Sequence, residues 1–343
     1  LLLVLAVALP ACSSPPADRV SHVTLIHMGD VHGHLVPRPD VRGASMGGPA
    51  RTLGGLARVA TVVRGIRREV PQALLVNTGD TIQGSAEALF TRGQALVDVI
   101  NTLGVDVFAA GNWDFVYGTG RFLELFAGPR PLAPWGAIAA NLFYATTVQD
   151  PTTPFPEKAG QRVLPPYLVK QIGPVKVGII GLTPDRGPQI VGRLVSKGFH
   201  LLPNGPPLDA EVARQVAHLR EVEHASLVVL ASEMGLASNI RIVEQVAGID
   251  VVLSADMHEE TSEPIVVTGP DGRKTLVVEE GQDGAQVGRI DVRVANGRVE
   301  GWHWTRYVLD DSVPADPTVS AQIDALRSGF LAGPHFVAHR NPF

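Results

Sequence analysis

The stretch VTLIHMGDVHGH, residues 23–34, sets an apolar segment directly before a turn that contains Gly29, Asp30 and His32. A short run rich in β-branched residues that ends at a glycine is typical of a buried strand. The following stretch GGLARVATVVRGIRRE, at 54–69, repeats apolar residues at intervals of three and four, which predicts an amphipathic helix. A strand, a polar turn and a helix in this order predict one unit of an α/β fold.

The same alternation of apolar strand and helix recurs in two series along the chain. The first series contains LLVNTG at 74–79, a helical stretch at 86–103, VFAAG at 107–111 and IAANLF at 138–143. The second begins at Val175 and contains VKVGIIGL, a helix at 209–223, SLVVLAS at 226–232, a short helix near 238–247 and VVLSA at 251–255. Two α/β halves are therefore predicted.

The part of the chain after these two series changes character. Its apolar stretches IVVTG, TLVVEE, QVGRIDVRV and VEGWHWTRYVL are separated by turns such as DGR and ANGR, a pattern typical of antiparallel hairpins. A connecting strand is expected within 161–173, and a last helix at about 317–330. We expect one continuous domain over residues 22–310, followed at 311–343 by a C-terminal helix and a tail that leads towards a further domain.

Composition narrows the classes of protein to which the chain can belong. Its 29 lysines and arginines against 34 aspartates and glutamates give a net charge of −5, which argues against a protein that binds nucleic-acid polymers. With 45% hydrophobic and 18% charged residues, the 343-residue chain can bury a large core, so disorder, collagen and coiled coil are excluded. Length alone leaves open whether two domains or one large layered unit form.

The N-terminal residues LLLVLAVALPA, 1–11, form an apolar run that is too short to span a bilayer but fits a secretory signal. The junction Leu9-Pro10-Ala11-Cys12 resembles a bacterial lipobox, so we predict a partial signal peptide at 1–12 and a linker at 13–21. The protein would then lie in the periplasm or cell envelope, secreted or anchored to the membrane through lipid on Cys12. A buried N-terminal strand is the alternative. Because Cys12 is the single cysteine, the chemistry depends on His, Asp, Glu and Asn.

Polar residues follow five of the predicted strands, and the carboxyl ends of strands in α/β sheets are where functional residues collect. The candidate metal ligands among them are Asp30, His32, Asp80, Asn112, Glu233, Asp256 and His258. Taken singly, each fits an ordinary turn or helix cap. Their joint occurrence at successive strand ends instead favours a site for two cations, which needs a bridging carboxylate and further ligands on each side. Asp80 is the expected bridge.

The order Asp-x-His, Gly-Asp, Gly-Asn-x-Asp and two late ligand loops resembles the calcineurin-like metallophosphoesterases and, within them, the 5'-nucleotidase family. The resemblance runs from about residue 22 to 310. LFTRGQALVDVINTLGVD and the GNWDFVYG loop are particularly similar to the thiosulfohydrolase branch, the sulfur-oxidation Sox enzymes. The resemblance implies a four-layer α/β/β/α sandwich.

The resemblance also implies how two divalent cations are held. The first would be bound by Asp30, His32, Asp80 and His258. The second would be bound by Asp80, Asn112, Glu233 and Asp256, the last two standing where the family usually has histidine. An all-oxygen second site favours Mn²⁺ or Mg²⁺ over Zn²⁺, with Ca²⁺ also allowed. The alternative is a degenerate second site that binds no cation.

A departure from the family pattern concerns proton transfer. The family loop usually carries Gly-Asn-His, and the histidine aids the leaving group, whereas this chain has Trp113 there and Val116 where the carboxylate that orients the histidine would stand. Trp113 cannot transfer a proton at neutral pH. The Sox branch also carries Trp in this loop, although Asn112 follows the nucleotidase pattern. The resemblance makes Asn112, Trp113 and Asp114 candidate catalytic residues.

The resemblance implies hydrolysis of a small phosphate ester or nucleotide. His34, Asn141 and Arg186 are candidate substrate contacts, because each stands in or after a strand-end loop. One alternative is a Sox-type thiosulfohydrolase, which would need a protein partner that carries the substrate. Another is a catalytically weak metal-binding lipoprotein, suggested by Trp113 and the two replaced histidines.

Overall fold

The computed structural model describes residues 20–332 of the chain. Within these residues the strands, in chain order, are β1 (Ser21–Met28), β2 (Arg38–Pro39), β3 (Thr52–Leu53), β4 (Leu74–Asn77), β5 (Val107–Ala109), β6 (Ala137–Ile138), β7 (Leu142–Tyr144), β8 (Tyr167–Ile172), β9 (Val175–Leu182), β10 (Phe199–Leu201), β11 (Leu227–Ser232), β12 (Val251–Ser254), β13 (Ile265–Thr268), β14 (Lys274–Val278), β15 (Gln286–Ala295) and β16 (Arg298–Val308). The helices are α1 (Val41–Ser45), α2 (Leu56–Glu69), α3 (Ala86–Thr91), α4 (Gln94–Ile100), α5 (Thr119–Phe126), α6 (Gly187–Ile190), α7 (Pro206–Glu221), α8 (Leu236–Gln245) and α9 (Pro317–Ala332).

Most of the strands form two six-stranded mixed sheets. The first sheet has the order β16-β15-β1-β4-β5-β6, in which β1, β4, β5 and β6 are parallel. The second has the order β13-β14-β12-β11-β9-β8, in which β14, β12, β11 and β9 are parallel. The two predicted α/β halves are confirmed, one in each sheet.

Side chains along β1 alternate between the two faces of its sheet, as a period of two requires. Val23 and Leu25 pack in the layer between the two sheets, whereas Ile26 and Met28 pack against the helices on the outer face. A third apolar layer lies between the second sheet and helices α7 and α8. The predicted four-layer α/β/β/α sandwich is confirmed.

One predicted strand, at 138–143, is wrong as a single element, because the chain forms β6 and β7 with a turn between them. Here the chain leaves the first sheet and meets the second, where the Ala140 N–H donates to the Gly181 carbonyl at 2.7 Å. A Cβ at Gly181 would lie 2.4 Å from the Ile138 carbonyl oxygen, so this close approach requires glycine.

The late hairpins are confirmed, but their neighbours could not be read from the sequence. β13 pairs with β14 and β15 with β16, both antiparallel. β14 also pairs in parallel with β12, and β15 pairs with β1, so the second hairpin returns to the first sheet. The residues that follow β14 therefore emerge at the same edge as the predicted ligand loops.

The C-terminal helix α9 packs into the same helical layer as α2, because its side chains Val319 and Ile323 are buried in the core. The predicted signal peptide, Cys12 and the tail after Ala332 lie outside the described residues. Within positions 20–332, no helix has the length and apolarity that a transmembrane span requires.

Candidate metal centre

Two groups of potential cation ligands form at the carboxyl edge of the sheets, and they share one residue. Asp30, His32 and His258 present ligand atoms within 4.8 Å of one another, and so do Asp30, Asp80 and Glu233. These side chains follow β1, β4, β11 and β12, as the strand-end pattern predicts. The carboxylate common to both groups is that of Asp30. The predicted bridging role of Asp80 stays a prediction.

The first group combines two imidazoles with one carboxylate. The Nε2 atoms of His32 and His258 each lie 3.5 Å from Asp30 Oδ1 and 3.0 Å from each other. Burial opposes ionisation of Asp30, but the two histidines outweigh it and lower the pKa of the carboxyl. Two nitrogen donors and an ionised oxygen donor converging in this way suit a divalent cation.

The loops that carry these residues are strained. Asp30, His32, Asp80, Asp256 and His258 have φ values of 46°, 47°, 43°, 96° and 61°, all in the left-handed region that residues other than glycine rarely adopt. Such conformations persist where the surrounding structure imposes them, and they cluster at functional sites. Their concentration at one edge therefore supports the assignment of this edge as the site.

The second group, Asp30, Asp80 and Glu233, consists of three buried carboxylates. The side chains that the structure describes around it do not supply the positive charge that would balance three ionised carboxylates. Glu233 is fully buried, and neither of its carboxylate oxygens has a hydrogen-bond partner among the described residues. Burial, followed by the nearby charges of Asp80 and Asp30, raises the pKa of Glu233 well above its ordinary value. Unpaired buried carboxylates are costly unless they coordinate a cation, so this group fits a divalent ion with oxygen ligands.

Asn112 and Asp256 belong to neither group. The Asn112 Nδ2 donates to Asp256 Oδ1 at 3.1 Å, and Arg186 Nη2 donates to Asp256 Oδ2. The backbone N–H of Asp256 donates to Asp30 Oδ2 at 3.2 Å, so Asp256 still adjoins the shared ligand. Ligation of a second cation by Asn112 and Asp256 stays a prediction.

Asp114 lies beneath the site and binds backbone groups. Its carboxylate is 1% exposed and accepts the N–H groups of Thr81, Ile82 and Gly111 at 3.0, 3.2 and 2.9 Å. These bonds join the loop after β4 to the loop after β5. The backbone N–H of Trp113 in turn donates to Asp80 Oδ1 at 2.7 Å. Asp114 therefore orients the loops that carry Asp80 and Asn112.

Removing the acceptor of these three bonds should destabilise the fold. We expect the free energy of unfolding of Asp114→Ala to be about 2 to 4 kcal/mol lower than that of Asp114→Asn, because only the asparagine keeps an oxygen that accepts buried N–H groups. Both changes remove the same charge, so their difference reports the lost hydrogen bonds together with the lost packing of the side chain. Urea denaturation in EDTA measures it without bound cations. Equal stability of the two variants would show that the loops hold together without these bonds.

The three predicted substrate residues have different surroundings. Asn141 is fully buried and exchanges hydrogen bonds with the backbone of Thr183, so its side chain joins two loops. His34 Nε2 lies 3.4 Å from Asp283 Oδ1, beside the first metal loop. Arg186 is nearly half exposed and contacts Asp256. Substrate contact by His34, Asn141 and Arg186 stays a prediction.

Sequence reasoning missed the polar residues that follow β14. Glu280 Oε2 lies 2.6 Å from His27 Nδ1, while His27 Nε2 lies 2.9 Å from Thr78 Oγ1, directly under the loop that carries Asp30. The Asp283 N–H donates to the Asp30 carbonyl at 2.5 Å. The sequence signal for these residues was the pair of glutamates directly after an apolar strand. It was not used, because that strand was assigned to a simple hairpin and not to the sheet that carries the ligand loops.

Glu279 gives a pH-dependent stability that can be tested. Burial raises its pKa to about 9 from an ordinary value of 4.5. Between these values the folded protein holds a proton that the unfolded chain has released. The stabilisation is thus complete below pH 4.5 and is lost as the pH rises through about 9.

We expect Glu279→Gln, which cannot ionise, to reduce the fall in unfolding free energy with rising pH by up to about 1.4 kcal/mol per pH unit. Urea denaturation of the unaltered chain and the variant between pH 5 and 9 measures this slope. Glu300→Gln, at an exposed position, is the matched control. Parallel curves for the unaltered chain and Glu279→Gln would contradict the prediction.

Comparison with known proteins gives a family and a fold. The family model described as calcineurin-like phosphoesterase matches residues 23–260. The 5'-nucleotidase of Bos taurus is 26% identical over 333 residues, which cover 91% of this chain and 54% of that protein. The chain thus spans about half the length of the 5'-nucleotidases that it matches.

Solved structures agree on the architecture. A 5'-nucleotidase precursor from Thermus thermophilus superposes with a TM-score of 0.76 at 22% identity, covering 91% of this chain and 59% of that one. A sulfate thiohydrolase from Thermus thermophilus gives 0.74 at 21% identity, covering 92% and 61%. These likenesses show the fold. Because the family model spans the strand-end loops from Asp30 to His258, the chain belongs to the calcineurin-like phosphoesterases.

Proposed function

We propose that the chain is a phosphomonoesterase of the 5'-nucleotidase type that uses two divalent cations. The observation that carries the proposal is the pair of ligand groups joined at Asp30. The 26% identity to the 5'-nucleotidase of Bos taurus over most of this chain supports the substrate class.

In this proposal Asp30, His32 and His258 hold one cation, while Asp30, Asp80 and Glu233 hold the other. The mixed nitrogen and oxygen set of the first group accepts Mn²⁺ or Zn²⁺, and the all-oxygen second group favours Mn²⁺ or Mg²⁺, with Ca²⁺ also allowed. When bound, two such cations acidify water and neutralise charge that develops on a phosphoryl group.

The remaining residues of the site orient ligands and substrate. Asp114 and the Trp113 backbone fix Asp80 through the bonds described above. The side chain of Asn112 lies beside Asp256, to which one N–H of its amide donates, and the second N–H can donate to a phosphoryl oxygen. The proposed substrate is a small phosphate ester or nucleotide. A nucleic-acid polymer is not proposed, because the net charge of −5 disfavours binding of a polyanion.

We also propose export to the periplasm or cell envelope, with a lipid on Cys12 as the membrane anchor. The support is the apolar segment at 1–11 and its lipobox-like junction. Cells that express the gene are grown with a radioactive fatty acid, and the protein is then tested for the label. The unaltered protein should carry the label, and Cys12→Ser should abolish it.

The test of the activity combines two measurements on one purified sample: metal content, and turnover of p-nitrophenyl phosphate and AMP. Two cations per chain with turnover of both substrates would support the proposal. Asp30→Asn is the negative control, because it removes the shared ligand. Cations without any turnover would support the alternative of a catalytically weak metal-binding lipoprotein.

A Sox-type thiosulfohydrolase is the second candidate. The observation that favours it is Trp113 in the loop after β5, together with the likeness to the sulfate thiohydrolase from Thermus thermophilus. Turnover of a carrier-bound thiosulfonate in the absence of any phosphatase activity would favour this candidate over the nucleotidase.

A further inference from the structure

Asp256 and Arg186 form an ion pair at the mouth of the candidate metal centre. We infer that Asp256 anchors the Arg186 guanidinium as a receptor for a tetrahedral oxyanion, the phosphoryl group of a monoester, instead of binding a cation. This inference rests on the proposed function for the identity of the anion, and it assigns Arg186 a specificity-determining role there.

The contacts of Asp256 account for both of its carboxylate oxygens. Oδ1 accepts from Asn112 Nδ2 at 3.1 Å, and Oδ2 accepts from Arg186 Nη2. Neither oxygen belongs to a ligand group among residues 20–332, whereas Glu233 lies in one with both of its oxygens unpartnered. The two residues that replace the expected histidines thus differ: Glu233 faces a cation site and Asp256 faces a guanidinium.

The pair lies next to Asp30, the residue common to both ligand groups. The backbone N–H of Asp256 donates to Asp30 Oδ2 at 3.2 Å, so a single residue separates the guanidinium from the ligand shared by both groups. Gly187, next to Arg186, approaches Asn112 closely enough that a Cβ there would lie 3.7 Å from the Asn112 Cβ. The backbone next to Arg186 therefore lies beside the loop after β5, while the guanidinium itself contacts Asp256 and Met257 in the loop after β12.

The guanidinium keeps capacity to bind an anion. Its partners among the described residues are Asp256 and the Met257 sulfur, both through Nη2, which leaves the N–H groups of Nε and Nη1 without a partner there. Arginine presents five donors in a planar fork that matches two oxygens of a phosphate. With 46% of its side chain exposed and its position fixed by a buried carboxylate, Arg186 is open to solvent yet oriented.

The experiment measures metal content and binding of inorganic phosphate on the full chain loaded with Mn²⁺. We expect Arg186→Gln and Asp256→Asn to keep the metal content of the unaltered chain and to weaken phosphate binding about 10- to 100-fold, as loss of a charged hydrogen bond does. The double variant should bind phosphate no more weakly than either single one, because the two residues act as a unit. Arg193→Gln, an exposed arginine that follows α6 in the same connection between β9 and β10, is the matched control and should change neither quantity.

Loss of one cation from Asp256→Asn would overturn the inference, since Asp256 would then be a ligand. Full multiplication of the two single effects in the double variant would also overturn it, as would an unaltered chain that does not bind phosphate. Absence of turnover of AMP and p-nitrophenyl phosphate would instead defeat the proposed function, while metal content and phosphate binding would still decide the role of Asp256.

Discussion

Asp30→Asn is expected to remove both divalent cations from the protein and to lower hydrolysis by at least about a thousand-fold, the scale of several kcal/mol that metal ions contribute. The reason is that Asp30 is the one residue present in both ligand groups. Asp80→Asn should instead remove one cation, because Asp30, His32 and His258 remain. Elemental analysis of the purified variants, together with turnover of p-nitrophenyl phosphate, measures both effects.

The sequence predicts the opposite order, with Asp80 as the bridge, so the two variants decide between the assignments. Asp80 Oδ2 does lie 4.0 Å from His32 Nε2, close to the first group. One cation retained in Asp30→Asn, and none in Asp80→Asn, would restore Asp80 as the shared ligand. Asp98→Asn, at an exposed position of α4, controls for the loss of a carboxylate as such and should leave both cations in place.

The residue pattern was sufficient to predict the two α/β halves and the sheet edge where the candidate site forms. The four-layer arrangement was implied by the family resemblance. Strands such as β1 and β4 are buried on both faces, so they appear as apolar runs, and the first polar residue after each run marks the sheet edge. Parallel neighbours then bring Asp30 and Asp80 together wherever the strands pair. This is why the ligand loops could be predicted without any knowledge of distances.

Pairing between distant strands could not be predicted, because one strand pattern fits several neighbours. The hairpin of β13 and β14 is local and was expected, but nothing in TLVVEE indicates that β14 continues the parallel sheet beside β12. The position of Glu280 next to His27, under the loop of Asp30, was therefore not predicted. The direction of a side chain within a loop could not be predicted from the sequence either. Asp256, for example, accepts a hydrogen bond from Arg186, which lies 70 positions away along the chain.

Leaving-group quality is expected to limit the rate of the unaltered enzyme. Trp113 has a single N–H and transfers no proton at neutral pH, and Asp114 is buried with three backbone N–H groups on its carboxylate. The departing oxygen would then leave as an anion. Aryl phosphates should react far faster than alkyl phosphates, with a steep dependence of rate on the pKa of the leaving group.

The structure indicates where an acid can be introduced. Trp113–Phe115 form a 3₁₀ turn, and the N–H of Val116 donates to the Trp113 carbonyl at 3.3 Å. Residues three apart in such a turn lie on the same side, so an imidazole at position 113 and a carboxylate at position 116 can pair. Val116 is only partly buried against the core, which makes a polar side chain tolerable there.

The double variant Trp113→His with Val116→Asp should therefore flatten the dependence on leaving-group pKa and accelerate AMP and alkyl phosphates by about 10²- to 10⁴-fold, the range of general acid catalysis. Steady-state kinetics across a series of phosphate esters measures both quantities. Trp113→Phe, which removes the indole N–H and most closely keeps the shape, is the matched control and should leave the slope unchanged. An unaltered enzyme that hydrolyses AMP as fast as p-nitrophenyl phosphate would mean that a proton donor already serves the site, and His34, beside the first metal loop, would be the residue to replace next.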